Sequence, residues 1–588
     1  MNEPEGSIAG AEEPASDIEQ LHLANRDLQD QVASLRQEVD AAQAAARLMR
    51  ESRWWRLGLA LKNRRNVLFA LRHPIWALKT LVGLRSRRGR LGRGGRSSTA
   101  TTARQWLAGI SATPRVPEDL WIAGILDADL GRALAPDCNL IVFRPDNWQV
   151  TLEGRRPHLL LVESADHGND GAWEYKIGTA PHADAAGLQD LHDLVGWCRA
   201  NGTPTVFWFT AAASQAERYA EAAALFDHVA ASEPTAAARL TRAGDLRTSE
   251  VLVVPGGVQP SIHSPIGAAP ASDTCTVLSS RTSAVALEPI LGAAHAFGVT
   301  VYTPSGETTA PEFEEIAEPA SPQALERAVA LHAVYINGEA EGVPARVLEA
   351  LASGVAVVSV PNPVLQNEFA DTIAFARTTE EAKEAIERLL SDTTYRESIR
   401  AVGLRRVLGS LTIRHRLGAI ARTAGYELDP GIDHRVSVLV LVDNGATIES
   451  VTRNLAAQRP APAEILFGIT GAAPAQVALE FEGPVRVIRQ EAATEPGERL
   501  RALAAMVTSP WVAPLVAPTP LDANELNDLL LAERFARADV LGRGDAFVFT
   551  DALEPGCAVA RRELVASRGW PPAPGWTREG VRIFSVPR

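Results

Sequence analysis

The sequence predicts an α/β protein whose strands form parallel sheets. From residue 105 onward, short apolar runs alternate with longer Ala- and Leu-rich stretches that have helical periodicity. Parallel strands need a long crossover between them, usually a helix, so this alternation favours strand–helix–strand units over hairpins. The predicted strands lie at 140–143, 159–163, 205–209, 228–231, 251–254, 276–279, 299–302, 333–336 and 355–359.

The most informative of these units spans 333–359. Its first strand is followed by a loop that contains Gly342, and then by a helix that Pro344 opens at its first position, where a missing N–H costs nothing. Gly354 ends the helix before a second apolar strand. The start of such a helix offers free N–H groups and a partial positive charge, which suits a diphosphate.

Two carboxylates, Glu341 and Glu349, flank this helix start with seven residues between them. The stretch resembles the Glu-x7-Glu motif of retaining glycosyltransferases of the GT-B fold, which consists of two Rossmann-like halves. The resemblance implies that Gly342, Val343 and Arg346 hold the diphosphate of a nucleotide sugar, that Glu349 holds its ribose, and that Glu341 contacts its sugar in a catalytic position. The alternative is that both carboxylates are solvated helix charges.

In the first half of the body, the strand 159–163 ends in a polar, Gly-rich loop. Ligands of open parallel sheets bind beyond the carboxyl ends of strands, so Glu163 and His167 are catalytic candidates there. A solvated side chain is the alternative for His167. Residues 145–178 resemble group 1 glycosyltransferases related to spore maturation protein CgeB, and the resemblance extends over about 105–430. The remaining candidates for an acceptor site or cleft are Asn169, Trp173, Lys176 and Trp208, with core packing as the alternative for Trp173.

Two departures from that family leave activity open. After Trp208 the chain has Phe-Thr-Ala-Ala-Ala, where relatives usually carry Asn-Lys-Glu-Asp-Pro. The second half opens with Val-Leu-Ser-Ser-Arg-Thr (277–282) instead of a Gly-rich, basic loop, which makes Arg281 the cation expected beside Arg346 at the diphosphate. The resemblance implies a hexosyltransferase without a metal or cofactor, and the alternative is a non-catalytic scaffold.

The C-terminal region, 431–588, opens with an apolar strand that resembles the first strand of inverting family 2 glycosyltransferases of the GT-A fold. That fold holds a metal on the diphosphate with an acidic cluster and an Asp-x-Asp motif. Here the corresponding stretches, Gly-Ile-Thr-Gly-Ala and 511–520, contain no acid, and Asp522 and Glu525 look like the start of a helix. We expect a degenerate, catalytically silent domain.

The N-terminal region carries two assembly patterns after a stretch, 1–16, that we expect to be disordered. Heptads over 17–50, with one core Asn25, predict a parallel coiled-coil dimer, and a lone amphipathic helix is the alternative. The segment 51–104 is basic and contains clustered tryptophans. Residues 47–96 hold fifteen Lys or Arg and a single acid, which favours contact with an anionic membrane surface; packing on the next domain is the alternative.

The remaining boundaries place the first half at 105–262 and the second half at 263–430. The net charge of −13, with no recognisable fold around the local basic segment, argues against nucleic-acid binding. Four widely spaced cysteines predict free thiols, and the absence of a signal peptide or apolar span predicts a cytoplasmic protein, at the inner face of the plasma membrane if the basic segment binds lipid. The resemblance implies a nucleotide sugar as donor and a cell-envelope glycan or lipid-linked acceptor.

Overall fold

The chain divides into two units, Met1–Ala100 and Thr101–Arg588. All described residues belong to the second unit, so the predictions for 1–16, 17–50 and 51–104 lie outside them. The computed structural model describes residues 113–178, 188–248, 250–267, 272–278, 290–302, 316–317, 329–429, 434–442, 448–471, 481, 483–515, 521–553, 557–572 and 575–587.

The first half contains a parallel sheet with helices between its strands. The strands are β1 (Trp121–Ile125), β2 (Asn139–Val142), β3 (Leu159–Glu163), β4 (Thr205–Phe209), β5 (His228–Ala231) and β6 (Val251–Val253). The helices are α1 (Ala128–Leu134), α2 (Trp148–Gly154), α3 (Gln189–Ala200), α4 (Ala216–Ala223) and α5 (Pro234–Ala243). The strand order β2-β1-β3-β4-β5-β6 reverses direction between β1 and β3, which makes their carboxyl ends a topological switch point. Strand β1 is absent from the predicted strands.

The second half repeats this architecture. Its strands are β7 (Ser272–Leu278), β8 (Val299–Tyr302), β9 (Ile316–Ala317), β10 (His332–Asn337), β11 (Ala356–Ser359) and β12 (Ile373–Phe375). Its helices are α6 (Ala345–Ala352), α7 (Pro363–Phe369), α8 (Thr379–Ser391), α9 (Thr393–Ser410) and α10 (Ile413–Thr423). The order β12-β11-β10-β7-β8-β9 places the second switch point between β7 and β10. The predicted α/β class with parallel, Rossmann-like sheets is confirmed.

Helix α6 forms as the sequence predicts. Leu348, Leu351 and Ala352 are buried on the face that packs against the second sheet. Pro344 is the residue that precedes the helix and not its first residue, and its backbone is still extended. Gly354 ends the helix with a φ of +71°, a left-handed conformation that a side chain disfavours.

Helix α10 crosses back from the second half to the first sheet. Ile413 and Leu417 lie in a core cluster with residues of β1 and β3. Beside it, Val258 and Thr412 form a parallel β-bridge, and Tyr426 Oη donates a hydrogen bond of 3.0 Å to the carbonyl of His158. The two halves are therefore joined by two chain crossings and a shared apolar core.

The C-terminal region forms a mixed sheet. Its strands are β13 (Val436–Val442), β14 (Glu464–Ile469), β15 (Val485–Arg489), β16 (Trp511–Leu515), β17 (Val540–Arg543), β18 (Val548–Phe549), β19 (Ala558–Arg561) and β20 (Ile583–Val586). Its helices are α11 (Ile448–Ala456), α12 (Pro496–Ala504), α13 (Glu525–Ala536) and α14 (Arg562–Arg568). The order is β15-β14-β13-β16-β19-β17-β20-β18, with β19 antiparallel to both of its neighbours. Helix α13 begins at Glu525, as predicted.

This third sheet is fixed to the second half through helix α9. Arg405 of α9 forms a two-pronged ion pair with Asp528 of α13, at 2.6 and 3.0 Å. Leu408 of the same helix is buried in the core of the third sheet. One helix therefore contributes to the packing of two domains.

The described residues contain no helix long and apolar enough to cross a membrane. Cys138, Cys198, Cys275 and Cys557 are all buried free thiols, which confirms the prediction for the cysteines. Burial raises the pKa of each thiol, so these groups are inert as nucleophiles near neutral pH.

Candidate functional site

The two switch points face each other across a cleft between the halves. From the second half, the loop 338–344 and helix α6 follow the carboxyl end of β10. From the first half, the charges of Asp129 and Arg132, in the first and last turns of α1, act on the carboxylate of Glu349 in α6. Open α/β sheets bind their ligands at the carboxyl ends of strands, so this cleft is the candidate site.

Two buried asparagines shape the loop 338–344. Asn337, at the end of β10, donates from Nδ2 to the carbonyl of Glu339 at 3.0 Å. Asn362, which precedes α7, donates from Nδ2 to the carbonyls of Glu339 and Gly342, both at 3.1 Å. Its Oδ1 accepts from the backbone of α7, so one side chain caps a helix and holds the loop. Neither asparagine was among the predicted site residues, although an Asn directly before Pro363 is a recognisable signal for a helix start.

The start of α6 is open to an anion. Pro344 has no side chain that could cap the helix. The first N–H groups of any helix lack acceptors within it, and here they follow Gly342, whose φ is +66°. The loop and helix together offer backbone donors and the positive end of a helix dipole.

Glu349 lies one turn into α6 and is only 21% exposed. Arg346 Nη1 donates to its Oε2 at 2.6 Å, and His263 Nε2 lies 3.9 Å from the same oxygen. Burial raises the pKa of Glu349, and the charge of Arg346 acts in the opposite direction. The pairing therefore fixes the Glu349 carboxylate at the edge of the cleft, with one of its two oxygens bound to Arg346.

Glu341 and Glu163 differ sharply in their surroundings. Glu341 is exposed in the loop before α6. Glu163 is 7% exposed, its Oε2 accepts from the backbone of Asp127 at 2.9 Å, and its Oε1 accepts from Thr210 Oγ1 at 2.7 Å. Burial raises the pKa of Glu163 to about 7, although both hydrogen bonds favour the charged form. Glu163 thus ties the carboxyl ends of β1, β3 and β4 together.

His167 lies in an exposed part of the loop after β3. Its side chain is 67% exposed, and Nδ1 is 3.4 Å from Glu174 Oε1. Its backbone hydrogen bond to Asp127 and its charge lower the pKa of that carboxyl group, but burial of Asp127 outweighs them and raises it. His167 therefore lies near the cleft edge without a fixed partner inside it.

The prediction of cleft-facing side chains is wrong for both tryptophans. Trp173 is fully buried and donates from Nε1 to the carbonyl of Phe143 at 3.1 Å. Trp208 is equally buried and donates to the carbonyl of Val254 at 3.2 Å. Large aromatic side chains are stabilised by complete burial when their N–H finds an acceptor, and both sites provide one. Neither ring can stack on a ligand.

Asn169 and Lys176 are also committed to the scaffold. Asn169 has a φ of +53°, donates from Nδ2 to the carbonyls of Gly124 and Phe143, and accepts at Oδ1 from the backbone of Leu126. Lys176 forms an ion pair with Asp190 at 2.7 Å. The structure does not bring these two side chains into the cleft as free groups. Arg281 lies outside the described residues.

Residues 291–422 match the glycosyl transferase-like family. The match contains the loop 338–344, helix α6 and both carboxylates of the Glu-x7-Glu motif. No curated protein matches the chain.

Several solved glycosyltransferase structures are similar to this chain at a distance. HepE of Anabaena, in complex with UDP and glucose, is 14% identical over 57% of this chain and 98% of its own, with a TM-score of 0.36. A glycosyltransferase of Rickettsia africae is 11% identical over 56% and 94%, with a TM-score of 0.34. Sucrose-phosphate synthase of Thermosynechococcus elongatus is 12% identical over 57% and 95%, with a TM-score of 0.33.

Proposed function

We propose that the chain is a glycosyltransferase of the GT-B type that takes a sugar from a nucleoside diphosphate sugar. One observation carries the proposal. The family match falls on the segment where an uncapped helix start, at a topological switch point, precedes a half-buried carboxylate. This combination supplies donors for a diphosphate and an acceptor for hydroxyl groups within one helical turn.

The diphosphate lies at the start of α6 in this proposal. The backbone of Gly342 and Val343 approaches it, and Arg346 supplies a cation from the first turn of the helix. As the bond between sugar and diphosphate breaks, negative charge grows on the leaving oxygen, and fixed donors stabilise that charge. Arg281 stays a prediction for the same role.

Glu349 holds the ribose hydroxyls in this proposal. Arg346 favours the charged form of the carboxylate, against the effect of burial, and fixes its rotamer, because the two residues are paired at spacing i, i+3. Glu341 is placed before the helix start, at the opposite end of the diphosphate from Glu349, and contacts the donor sugar. The catalytic roles of Glu341, Glu163 and His167 stay predictions, and the two hydrogen bonds of Glu163 favour a positioning role for that residue.

The acceptor is proposed on sequence evidence alone. A basic segment at 47–96 suits a membrane surface, and a cell-envelope glycan or lipid-linked acceptor would be found there. The third domain is proposed as a silent GT-A relative. Its parallel strands β13, β14 and β16 and its lack of acids at 511–520 support that interpretation. The coiled-coil dimer stays a prediction.

The alternative, a non-catalytic scaffold, is favoured by one observation. The side chains of four predicted cleft residues form hydrogen bonds or an ion pair within the first half. This leaves that side of the cleft with few free polar groups. A protein of this kind retains the fold of a transferase, serves the assembly of an envelope polysaccharide and transfers no sugar.

Calorimetry on the full chain tests both candidates. The probes are UDP, GDP, ADP and dTDP, each alone and as a hexose conjugate. We expect one nucleotide to bind and Glu349→Ala to weaken it by about tenfold to a hundredfold, because a charged hydrogen bond to ribose is lost. The matched control is Glu387→Ala, an exposed carboxylate on α8. If no probe binds to folded protein, the transferase proposal is wrong and the scaffold remains.

A further inference from the structure

A carboxylate from the first half touches the loop 338–344 across the cleft. Glu233 follows β5, immediately before helix α5, and is half-buried. A β-carbon added to Gly342 would lie 2.8 Å from Glu233 Oε2, so the carboxylate occupies the space that the glycine leaves open. The positive φ of Gly342 favours glycine, and a β-carbon at this position would displace the end of the Glu233 side chain.

The side chain of Glu233 is not used by its own helix. A carboxylate at the residue before a helix commonly accepts a hydrogen bond from the first turn. Glu233 makes no such bond to α5, and among the described residues no donor is hydrogen-bonded to its carboxylate. The carboxylate is directed at the facing loop instead, with acceptor capacity to spare.

The position of Glu233 along the proposed donor follows from α6. Glu349, proposed at the ribose, lies about 6 Å along the helix from Ala345, at its first turn, where the diphosphate is proposed. Gly342 lies beyond that start, next to Glu341, which is proposed at the sugar. A group in contact with Gly342 is therefore at the sugar end of the donor.

We propose that Glu233 is a specificity-determining residue that selects the transferred sugar. This inference rests on the proposed function. A carboxylate accepts hydrogen bonds from hydroxyl groups and donates none, so it fits a neutral sugar. A sugar that itself carries a carboxylate meets a like charge there, which lowers affinity and excludes hexuronate donors. The substrate class is thus a nucleoside diphosphate sugar that carries no carboxylate, such as a hexose.

The inference is tested with pairs of donors, a hexose and the hexuronate in which one of its carbons is oxidised to a carboxylate. Calorimetry on the full chain compares UDP-glucose with UDP-glucuronate and GDP-mannose with GDP-mannuronate, with UDP and GDP as references. We expect the native protein to bind the hexose at least about tenfold more tightly than the hexuronate, because like charges are excluded. Glu233→Gln should reduce that ratio by about fivefold or more and leave the affinity for UDP or GDP unchanged.

Two further variants separate specificity from structure. Glu233→Asp keeps the charge and should keep most of the discrimination, which a purely steric or structural role would not predict. Glu387→Gln, on the exposed face of α8, makes the same chemical change outside the cleft and should leave all affinities unchanged.

The affinities of Glu233→Gln separate the inference from the proposed function. An unchanged ratio in Glu233→Gln, with nucleotide binding intact, overturns the inference and leaves the proposed function standing. Tighter binding of UDP or GDP in Glu233→Gln, without a change in ratio, assigns Glu233 to the diphosphate and also overturns it. Binding of no probe at all overturns the proposed function and the inference with it.

Discussion

The two edges of the cleft use their polar side chains differently. In the first half, Glu163 and Asn169 satisfy backbone groups at the ends of β1 and β2. In the second half, Asn337 and Asn362 donate hydrogen bonds to the backbone carbonyls of the loop 338–344. The scaffold of the second half is thus formed without the side chains of Glu341 or Glu349, and Arg346 and His263 lie against the carboxylate of Glu349.

The difference shows what makes a polar residue available to a ligand. Buried backbone groups must find partners, and the nearest side chain at a strand end usually supplies them. Where a separate asparagine takes this role, the neighbouring carboxylates stay available. A polar residue at the carboxyl end of a strand is therefore a site candidate only after the backbone around it has been accounted for.

The largest expected effect concerns Trp173, which belongs to the scaffold in this comparison. We expect Trp173→Ala to destabilise the first half by about 3–5 kcal/mol, because it leaves a large cavity in a close-packed core. Hydrogen exchange of the β3 amides measures the loss. Tyr175→Ala, at a ring that is 54% exposed, should have little effect on the same amides. If the β3 amides of Trp173→Ala exchange as slowly as in the native protein while donor binding weakens, Trp173 contributes to the binding site and not to the core.

Glu163 gives the next largest effect, and its sign follows from burial. The pKa of Glu163 is raised from 4.5 to about 7, so between these values the folded protein binds more protons than the unfolded chain. Stability therefore falls as pH rises through that window, by roughly 3 kcal/mol for a shift of this size.

Glu163→Gln should remove this pH dependence, since an amide can accept from the backbone of Asp127 and donate to Thr210. Urea-unfolding midpoints of the native protein and the variant at pH 5 and pH 8 measure the difference. A drop that is equally steep in both proteins would show that another group is responsible.

Much of the fold could be predicted from the sequence, because apolar runs between helical stretches leave few alternatives. The predicted strands 159–163, 205–209, 228–231 and 299–302 have the bounds that the structure shows. Strand β1, Trp121–Ile125, was missed: it follows a 3-10 turn and lies next to a region without a clear periodic pattern. Helix α10 shows a second limit, because its apolar face does not reveal which of the two sheets will cover it.

The site was predictable in the second half and largely not in the first. The Glu-x7-Glu spacing fixes Glu341 and Glu349 to a loop and a helix start by local rules alone. Whether Trp208 or Asn169 faces a cleft depends on the carbonyls of Val254, Gly124 and Phe143, which are distant in sequence. Such partners become visible only after the sheet has been assembled.

Asn362→Ala has the smallest expected effect on stability, and it distinguishes most directly between side chains that hold the fold and side chains that bind a ligand. Asn362→Ala removes the hydrogen bonds to the carbonyls of Glu339 and Gly342 and the cap of α7, which should destabilise the second half by about 1–2 kcal/mol. The same change frees the loop that carries Glu341, so we expect donor affinity to fall by more than this loss of stability explains. Thr378→Ala removes a comparable cap from α8, away from the loop, and serves as the matched control.

Calorimetry and urea unfolding on both variants measure the donor affinity and the free energy of unfolding. If Asn362→Ala and Thr378→Ala weaken nucleotide binding equally, the loop owes its shape to something other than the buried amide, and the contrast between the two cleft edges loses its physical basis.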